Sequence, residues 1–296
     1  MDDKLLTIFT PTYNRCENLK KLYKDLIKQT SKNFIWLVID DGSDDDTPLF
    51  LNKILNENKI SIQYIKKENG GKHTAYNLAC DLAKTELIFI TMDSDDSLKS
   101  NAVSEIETRW SLIDKKTYCG MVYLCENAEN KLLYTVCDRN KLKKGISWYE
   151  AFRNNYFWGE AEYIFKTEYI KKYKFPVYKG EKFFNEAYVY LQLKEKLFWS
   201  DKSIYIRDYQ NDGLTNNFMK MVINSPIGYS DYCNLKAKCE KNFLKKIKST
   251  ILYNVFSIFG KRKKFYKMAN YRVCSLILCP FSYLVFLLFY LKNKRS

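Results

Sequence analysis

A chain of 296 residues can form one large domain with appendages, or two domains. Its net charge of +15 lies almost entirely near the C terminus: residues 236–296 hold 15 Lys and Arg and one acid, Glu240, whereas residues 1–235 hold 34 basic and 33 acidic residues. A neutral body argues against nucleic acid as a partner, and a basic tail rich in apolar residues indicates an anionic membrane surface.

The nine cysteines and the single histidine, His73, limit the chemistry that the chain can support. No two cysteines form a C-x-x-C pair, so we expect no zinc site, and no Cys-His or Ser-His-Asp unit built on another histidine. Cysteines scattered through apolar runs predict reduced thiols in a cytosolic setting.

The first hundred residues alternate apolar segments of strand length with segments of helical periodicity. The predicted strands are residues 5–9, 34–39, 60–65 and 87–91. The helical signals are Leu19, Leu22, Tyr23 and Leu26 on one face, the start at Thr47-Pro48, and Ala75, Leu78, Ala79 and Leu82 on another face. This alternation predicts an α/β fold with a mostly parallel sheet and helices on both faces.

A polar segment follows each predicted strand, at residues 11–15, 40–43, 69–73 and 93–96. Right-handed crossovers place all strand-to-helix loops at the same edge of a parallel sheet. Ligands of open α/β sheets bind along that edge. We therefore expect the four segments to line one site.

The acidic segment 93–96 predicts a metal ion. Ionising Asp93, Asp95 and Asp96 together is costly unless a cation is bound, and oxygen ligands favour a hard ion such as Mn²⁺ or Mg²⁺. Asp40 and Asp41, at another strand end, can accept hydrogen bonds from a base or a sugar hydroxyl.

Segment 69–72 supplies two glycines and a lysine. The glycines allow close backbone approach and the lysine can contact phosphate, although the spacing is not that of a Walker P-loop. Nucleotide, diphosphate and metal contacts together describe a nucleotide-activated donor.

At these residues the chain resembles the family 2 glycosyltransferases of the GT-A (Rossmann-like) fold. The matching strings are Thr10-Pro11-Thr12-Tyr13-Asn14, Asp40-Asp41-Gly42-Ser43, Asn69-Gly70-Gly71 with Asn77, and Asp93-Ser94-Asp95-Asp96 as the family's D-x-D. The resemblance implies a GT-A domain over residues 1–235, with residues 1–100 as the nucleotide-sugar half and residues 101–235 as the acceptor half.

The resemblance also implies roles for individual residues. Asp95 would be the chief metal ligand, with Asp93 and Asp96 contributing to the metal or the donor. The remaining donor contacts would come from Pro11, Thr12, Tyr13, Asp41, Gly71, Lys72, His73 and Ser94. Lys72 and His73 would face the diphosphate, although His73 can equally be a solvated loop residue.

Enzymes of this family invert the anomeric centre, and a carboxylate deprotonates the acceptor hydroxyl. The nearest match to the family's acidic pair is Asn185-Glu186, which makes Glu186 the expected base, with Asn185 in place of the first acid and Glu in place of Asp. Glu181, Glu160 and Glu162 are alternatives, and an acidic residue in a helix's first turn is also favoured by the helix dipole alone.

Residues 100–217 are less regular. Residues 122–124, 132–136 and 204–206 are expected to be strands, the first two pairing in antiparallel fashion, and residues 183–197 are expected to be a helix. Residues 208–217 form a polar loop in which Asp212-Gly213-Leu214-Thr215 matches donor or acceptor contacts of relatives. Trp158 and Tyr156 either stack on an acceptor sugar or pack in the core.

Residues 236–296 are expected to form a helical tail that associates with a membrane. Residues 243–259 form one helix, residues 260–264 a basic break, and residues 273–291 a 19-residue segment without charge that would be about 28 Å long as a helix. Basic residues at both ends weaken a spanning topology. We expect peripheral or re-entrant attachment at the cytoplasmic face of the cell membrane, while a spanning helix and a buried helix stay open.

The sequence thus predicts an inverting, metal-dependent glycosyltransferase that moves a sugar from a nucleotide sugar, UDP-linked, to a glycan or lipid-linked acceptor in surface polysaccharide synthesis. A nucleotidyltransferase on a similar sheet is the alternative enzyme, although its Gly-rich loop after the first strand is missing. A membrane-attached binding protein with a degenerate site is the third interpretation.

Overall fold

The computed structural model describes residues 4–207 and 218–295. The chain divides into two compact units, one made of Met1–Lys174 with Lys194–Asn211 and the other of Phe175–Leu193 with Asp212–Ser296. The expected boundary at residue 235 does not coincide with this division.

The first unit contains an eight-stranded sheet and a two-stranded sheet. The strands are β1 Leu6–Thr12, β2 Phe34–Asp40, β3 Ser61–Lys66, β4 Leu87–Phe89, β5 Ser97–Leu98, β6 Gly120–Glu126, β7 Tyr134–Cys137, β8 Phe157–Gly159, β9 Ala161–Lys166 and β10 Phe198–Ile206. The large sheet has the order β3-β2-β1-β4-β9-β6-β10-β5, and β7 pairs with β8. Strands β1 to β4 are mutually parallel, β9 is antiparallel to both its neighbours, and β6 and β10 are parallel to each other. The predicted α/β class with a mostly parallel sheet is confirmed.

Seven helices accompany these strands in the described part of the first unit: α1 Cys16–Ile27, α2 Thr47–Glu57, α3 Lys72–Leu82, α4 Ala102–Leu112, α5 Arg139–Leu142, α6 Trp148–Arg153 and α7 Thr167–Ile170. The predicted inner face of α1 is buried at Leu19, Leu22, Tyr23 and Leu26. These residues belong to a core cluster that also contains Trp36, Phe89 and Trp110. Helix α2 begins at Thr47 as predicted, although its N-cap residue is Asp46.

Strand β1 is longer than predicted, so Pro11 and Thr12 are strand residues and pair with Ile39 and Asp40 of β2. On its other side, β1 pairs with β4 through residues 6–8 only. Beyond Ile8, β1 therefore has a strand neighbour on one side only, and proline is tolerated at such a position.

The middle of the chain departs most from expectation. The predicted helix over residues 183–197 is wrong: only Ala187–Tyr190 is helical (α8), because Phe184 and Tyr188 pack together with Phe175 in an irregular aromatic cluster. The predicted strand at residues 132–136 becomes β7, which joins β6 only through the antiparallel bridge between Glu126 and Leu132. The predicted strand at residues 204–206 is the end of β10, and the polar loop 208–217 lies outside the described residues.

The second unit is helical in its described part. It contains α8, α9 Phe218–Asn224, α10 Pro226–Cys239, α11 Phe243–Phe259, a 3₁₀ helix Phe265–Lys267 and α12 Arg272–Arg295. Val222, Val255 and Phe256 form its buried core, to which Tyr229 of α10 and Phe286 of α12 also contribute. Because α9 and α10 share this core with α11, residues 218–235 belong with the tail and not with the sheet.

Candidate active site

The carboxyl edge of the large sheet gathers the predicted site segments. Strands β1 to β4, β6 and β10 all end at this edge, and the reversed strand β9 begins there. Segments 11–15, 40–43 and 69–73 connect strands to helices, as predicted. Segment 93–96 differs, since it leads from β4 into the short strand β5 and reaches α4 only at Ala102.

Asp41 joins two of these loops. Its carboxylate is 5% exposed, and its Oδ1 accepts hydrogen bonds from Lys67 Nζ at 2.6 Å and from the Gly70 N–H at 2.9 Å. Its Oδ2 accepts the Gly71 N–H at 2.7 Å. Gly71 has φ = 91°, a left-handed conformation that favours glycine. Asp41 therefore fixes the backbone of the glycine loop.

The loops after β1 and β2 are also bonded to each other. The Asn14 N–H donates to Ser43 Oγ, and the Asp44 N–H donates to Asn14 Oδ1, both at 2.9 Å. The Asp41 N–H donates to the carbonyl of Thr12 at 2.8 Å. This network orders the loops before any ligand binds.

Two carboxylates of the D-x-D segment, those of Asp93 and Asp95, are paired with cations from neighbouring segments. Lys72 Nζ lies 2.7 Å from Asp93 Oδ1, and Arg15 Nη1 lies 2.5 Å from Asp95 Oδ2. All four side chains keep between 24% and 37% of their surface exposed. Burial alone would raise the pKa of Asp93, but the charge of Lys72 and its hydrogen bond, helped by more distant arginines, outweigh this and lower it. Asp93 is therefore ionised at neutral pH.

Asp96 is held from β10. The Tyr205 hydroxyl donates to Asp96 Oδ2 at 2.7 Å and accepts the Asp93 N–H at 3.3 Å. Arg207 Nη1 lies 4.0 Å from the same Asp96 oxygen. Asp96 is 7% exposed, so this carboxylate faces the protein and not the solvent.

Arg207 also contacts both glutamates at the start of β9. Its Nη2 lies 3.0 Å from Glu162 Oε1 and its Nε lies 3.3 Å from Glu160 Oε2. Burial raises the pKa of Glu162 to about 8. The charge of Arg207 acts to lower this pKa, whereas repulsion from Asp93 and Asp96 raises it further. Arg207 thus links Asp96 of the D-x-D segment to Glu160 and Glu162.

His73 is neither solvated nor in a loop, which corrects that alternative. It lies in the first turn of α3 and is 4% exposed. Burial lowers its pKa to about 4, although Asp41 acts in the opposite direction. His73 is therefore neutral at pH 7 and carries no positive charge toward a diphosphate.

The remaining predicted donor contacts differ in exposure. Tyr13 is 48% exposed, whereas Thr12 and Ser94 are each 4% exposed. The Thr12 hydroxyl is buried and has no hydrogen-bond partner within residues 4–207 and 218–295.

A divalent metal implied by the family fits this segment in one way only. Among the described residues, no three His, Cys, Asp or Glu side chains are grouped to hold an ion. Asp96 faces Tyr205, which leaves the partly exposed carboxylates of Asp93 and Asp95 as ligands. One or two carboxylates together with substrate phosphates are the usual ligand set for Mg²⁺, so the fit requires a bound diphosphate.

The four candidate bases have different surroundings. Both carboxylate oxygens of Glu181 accept backbone N–H groups at the start of α10, from Ile227 and Gly228, each at 2.7 Å. Glu160 and Glu162 contact Arg207, as described. Glu186 is exposed, directly precedes α8 and belongs to the second unit. Glu181 has a capping role that accounts for both of its oxygens.

Four residues of this arrangement were not singled out from the sequence: Arg15, Lys67, Tyr205 and Arg207. Arg207 directly follows a predicted strand, so the rule that located the other segments also applies to it. Tyr205 lies within that strand and gives no comparable signal.

The comparisons with known proteins agree with this geometry. The family model described as "Glycosyl transferase family 2" matches residues 7–214. The chain belongs to glycosyl transferase family 2. This family 2 glycosyltransferase is 26% identical over 276 residues to a Campylobacter jejuni protein named GalNAc(5)-diNAcBac-PP-undecaprenol beta-1,3-glucosyltransferase, and the match covers 88% of this chain and 84% of that one. It spans less than half the length of two further relatives from Streptococcus pneumoniae, the glycosyltransferases GlyA and GlyG.

Solved structures show the same fold. S. aureus TarS 1–349 in complex with UDP-GlcNAc superposes with a TM-score of 0.52 at 16% identity, over 92% of this chain and 90% of that chain. The mannosyltransferase PcManGT from Pyrobaculum calidifontis, in complex with GDP-Man and Mn²⁺, gives 0.54 at 14% identity, over 94% and 79%. The predicted GT-A fold is confirmed.

Proposed function

We propose that this glycosyltransferase transfers a sugar from a UDP-linked donor to a glycan or lipid-linked acceptor, with inversion of the anomeric centre and with Mn²⁺ or Mg²⁺. The UDP-GlcNAc complex of TarS and the GDP-Man and Mn²⁺ complex of PcManGT, which share the fold, support the donor class and the metal.

The contact between Lys72 and Asp93 carries the proposal. It joins the cation expected to meet the diphosphate with a carboxylate expected to meet the metal, at 2.7 Å. A donor diphosphate and a divalent ion bind each other through phosphate oxygens. Lys72 and Asp93 offer one group of each charge at the same place, so the lysine can contact the diphosphate while the aspartate contacts the ion.

Each part of the donor then has a partner. Pro11, Thr12, Tyr13 and Asp41 would contact the base and ribose, and Gly71 and Lys72 the diphosphate. Asp95 and Asp93 would hold the ion. Ser94 would also contact the donor, and Asp96 would orient the D-x-D segment. When bound, the ion would neutralise the charge that develops on the departing nucleoside diphosphate.

Glu186 would be the base that takes the proton from the acceptor hydroxyl. Its exposure favours this role over Glu181, whose oxygens cap α10, and over Glu160 and Glu162, which contact Arg207. Trp158 is 57% exposed on β8, which removes the alternative that it packs in the core. An exposed indole face is suited to the apolar C–H face of an acceptor sugar.

We place the reaction at the cytoplasmic face of a membrane, in surface polysaccharide synthesis. The C. jejuni relative is named for an undecaprenol-linked substrate, which favours a lipid-linked acceptor here. Helix α12 contains a stretch of 21 residues, Arg272–Lys292, that is long and apolar enough to cross a membrane, and 11% of an 18-residue window within it is buried. The nine cysteines are all free, and such reduced thiols are compatible with the proposed cytosolic side.

The experiment is a panel of nucleotide sugars with Mn²⁺ or Mg²⁺ and vesicle-borne polyprenyl-linked glycans, scored by the released nucleotide. We expect release of UDP from one UDP-sugar, dependent on the metal and accelerated by acceptor. Release of UMP or pyrophosphate would identify a nucleotidyltransferase instead. Binding of a UDP-sugar without turnover under any of these conditions would indicate a degenerate site.

A further inference from the structure

Helix α12 has two different faces. Ser275 and Ser282 are fully buried, and Phe286 and Phe289 pack on the core of the second unit. On the opposite face, a stripe at helical spacing is more than half exposed throughout its length: Val273 70%, Ile277 71%, Phe281 54%, Leu284 60%, Leu288 67% and Leu291 52%. This stripe, which we call the apolar stripe, has no partner within the described residues.

Helices α11 and α12 run in the same direction. Near the start of both, Lys246 Nζ lies 5.5 Å from the ring centroid of Tyr271. Further along, Asn254 meets Ser275 and Ser282, and then Phe259 meets Phe286 with ring centroids 4.6 Å apart. Phe259, the last residue of α11, therefore lies beside Phe286. At ~1.5 Å per residue, Phe286 is about 21 Å along α12 from Arg272.

The linker between the two helices must return along this whole distance. It leaves α11 after Phe259, and the Tyr253 hydroxyl donates to the carbonyl of Phe265 at 2.7 Å on the way back. Four lysines of the linker are exposed: Lys261, Lys263, Lys264 and Lys267. The linker thus places exposed ammonium groups beside the middle of α12.

Buried hydrogen bonds fix α12 to α11. Asn254 Nδ2 donates to the carbonyl of Ser275 at 2.9 Å, and Ser275 Oγ lies 2.6 Å from Asn254 Oδ1. Ser282 Oγ is 3.2 Å from the same amide nitrogen. Separating the helices would leave these groups unpaired, which is costly in an apolar medium. Any membrane that surrounds α12 must therefore also accommodate α11 and the linker.

We infer that α12 lies in the plane of the membrane interface and does not span the bilayer, with the apolar stripe among the acyl chains of an anionic membrane. This inference rests on the membrane location proposed above. A spanning α12 would draw Lys261, Lys263 and Lys264 into the hydrocarbon, where charged side chains are costly. In the plane, one face contacts lipid while the other keeps its contacts with α11.

The charge of the segment selects the lipid as occupant of the apolar stripe. Residues 241–296 contain no acidic residue, so the stripe is accompanied only by positive charge. A second copy of the chain on the same stripe would bring two such segments together, and they would repel. Anionic head groups offer the opposite charge beside an apolar layer.

The first test is sedimentation of the full chain with vesicles of phosphatidylcholine, with and without one third phosphatidylglycerol. We expect binding that requires the anionic lipid and that Ile277→Glu and Leu284→Glu each weaken, on the order of tenfold or more. Leu112→Glu is the matched control, because Leu112 is also 71% exposed but belongs to α4. Equal binding by all four proteins would overturn the role of the stripe.

The second test measures depth with lipids brominated near the head group or deep in the chain. Tryptophan replaces Ile277, Leu284 or Leu291, and the signal of the unmodified protein is subtracted. We expect the same shallow quenching at all three positions. Deepest quenching at Leu284→Trp, near the middle of the apolar segment, would show a spanning helix and overturn the inference.

Two further outcomes separate the possible failures. If the unmodified chain does not bind either vesicle, the proposed membrane location fails, while UDP release without vesicles still tests the transferase. If a lipid-free dimer dissociates in Ile277→Glu, a second copy occupies the stripe and the inference is wrong.

Discussion

The hydroxyl of Tyr205 donates to the carboxylate of Asp96 at 2.7 Å and accepts the N–H of Asp93 at 3.3 Å. One buried side chain on β10 therefore holds both ends of the D-x-D segment. The segment itself lies between two short strands, and its conformation depends on this support from a residue more than a hundred positions away.

Tyr205→Phe should loosen the metal site without removing a ligand. A hydrogen bond to a charged group contributes about 1.5–3 kcal/mol, so kcat/KM should fall by roughly tenfold to a hundredfold. A positioning role also predicts that more Mn²⁺ is needed for half-maximal rate. Tyr123→Phe is the control, because Tyr123 is equally buried but its hydroxyl has only a sulfur contact at 4.0 Å. An unchanged Mn²⁺ requirement would show that Tyr205 serves packing alone.

Asp95→Asn should reduce metal-dependent turnover on the order of a hundredfold, about 2.7 kcal/mol, because it removes the chief proposed ligand. Arg15→Gln should act in the opposite direction on Mn²⁺ binding measured in the presence of UDP, since Arg15 competes for the same carboxylate at 2.5 Å. Asp81→Asn, on an exposed carboxylate of α3 paired with Lys174, is the control. Full metal-dependent turnover in Asp95→Asn would show that the metal is held elsewhere.

Glu186→Gln and Glu181→Gln should separate chemistry from stability. The first should lower kcat by about 10²- to 10⁴-fold, the range of general base catalysis, and change the free energy of unfolding less than the second. The second should lower the free energy of unfolding by about 1–2 kcal/mol, because one of two backbone N–H groups loses a charged acceptor, and leave kcat of the folded protein unchanged. If the two effects are exchanged, Glu181 is the base.

His73 should make the protein less stable at mildly acidic pH. Its pKa is about 4 in the folded state, against 6.5 ordinarily, so between these values the unfolded chain binds more protons. Stability is complete above pH 6.5 and decreases as the pH falls toward 4, by about 3 kcal/mol over the interval. His73→Gln should remove this part of the dependence in urea unfolding measured from pH 4 to 7. Parallel pH profiles for both proteins would contradict the buried, neutral histidine.

The strands and loops of residues 1–100 were largely predictable from the sequence because their signals are local. Apolar runs of strand length, followed by Asp41, Gly71 or Asp93, identify both the strand and the edge at which it ends. The partners that hold these residues could not be predicted in the same way, since Tyr205 reaches Asp96 only through the strand order of the sheet. His73 shows the same limit, because its burial depends on packing around α3.

The structure of residues 101–235 and of the tail was less predictable. Residues 183–197 have helical periodicity, yet only four of them are helical. Phe184 and Tyr188 instead pack their aromatic rings against Phe175. The tail was predicted as two helices from composition, whereas their parallel course follows from Asn254 and the returning linker, which no spacing in the sequence reveals.

The two compact units of the chain differ in the proposed roles of their residues. Proposed donor contacts, from Pro11 to Asp96, all lie in the unit built on the sheet, while Glu186 and α12 lie in the other. The chain crosses between the units after residues 174, 193 and 211, so no single cut can release a catalytic fragment. A truncation that removes the C-terminal helices therefore also removes most of the unit that contains Glu186.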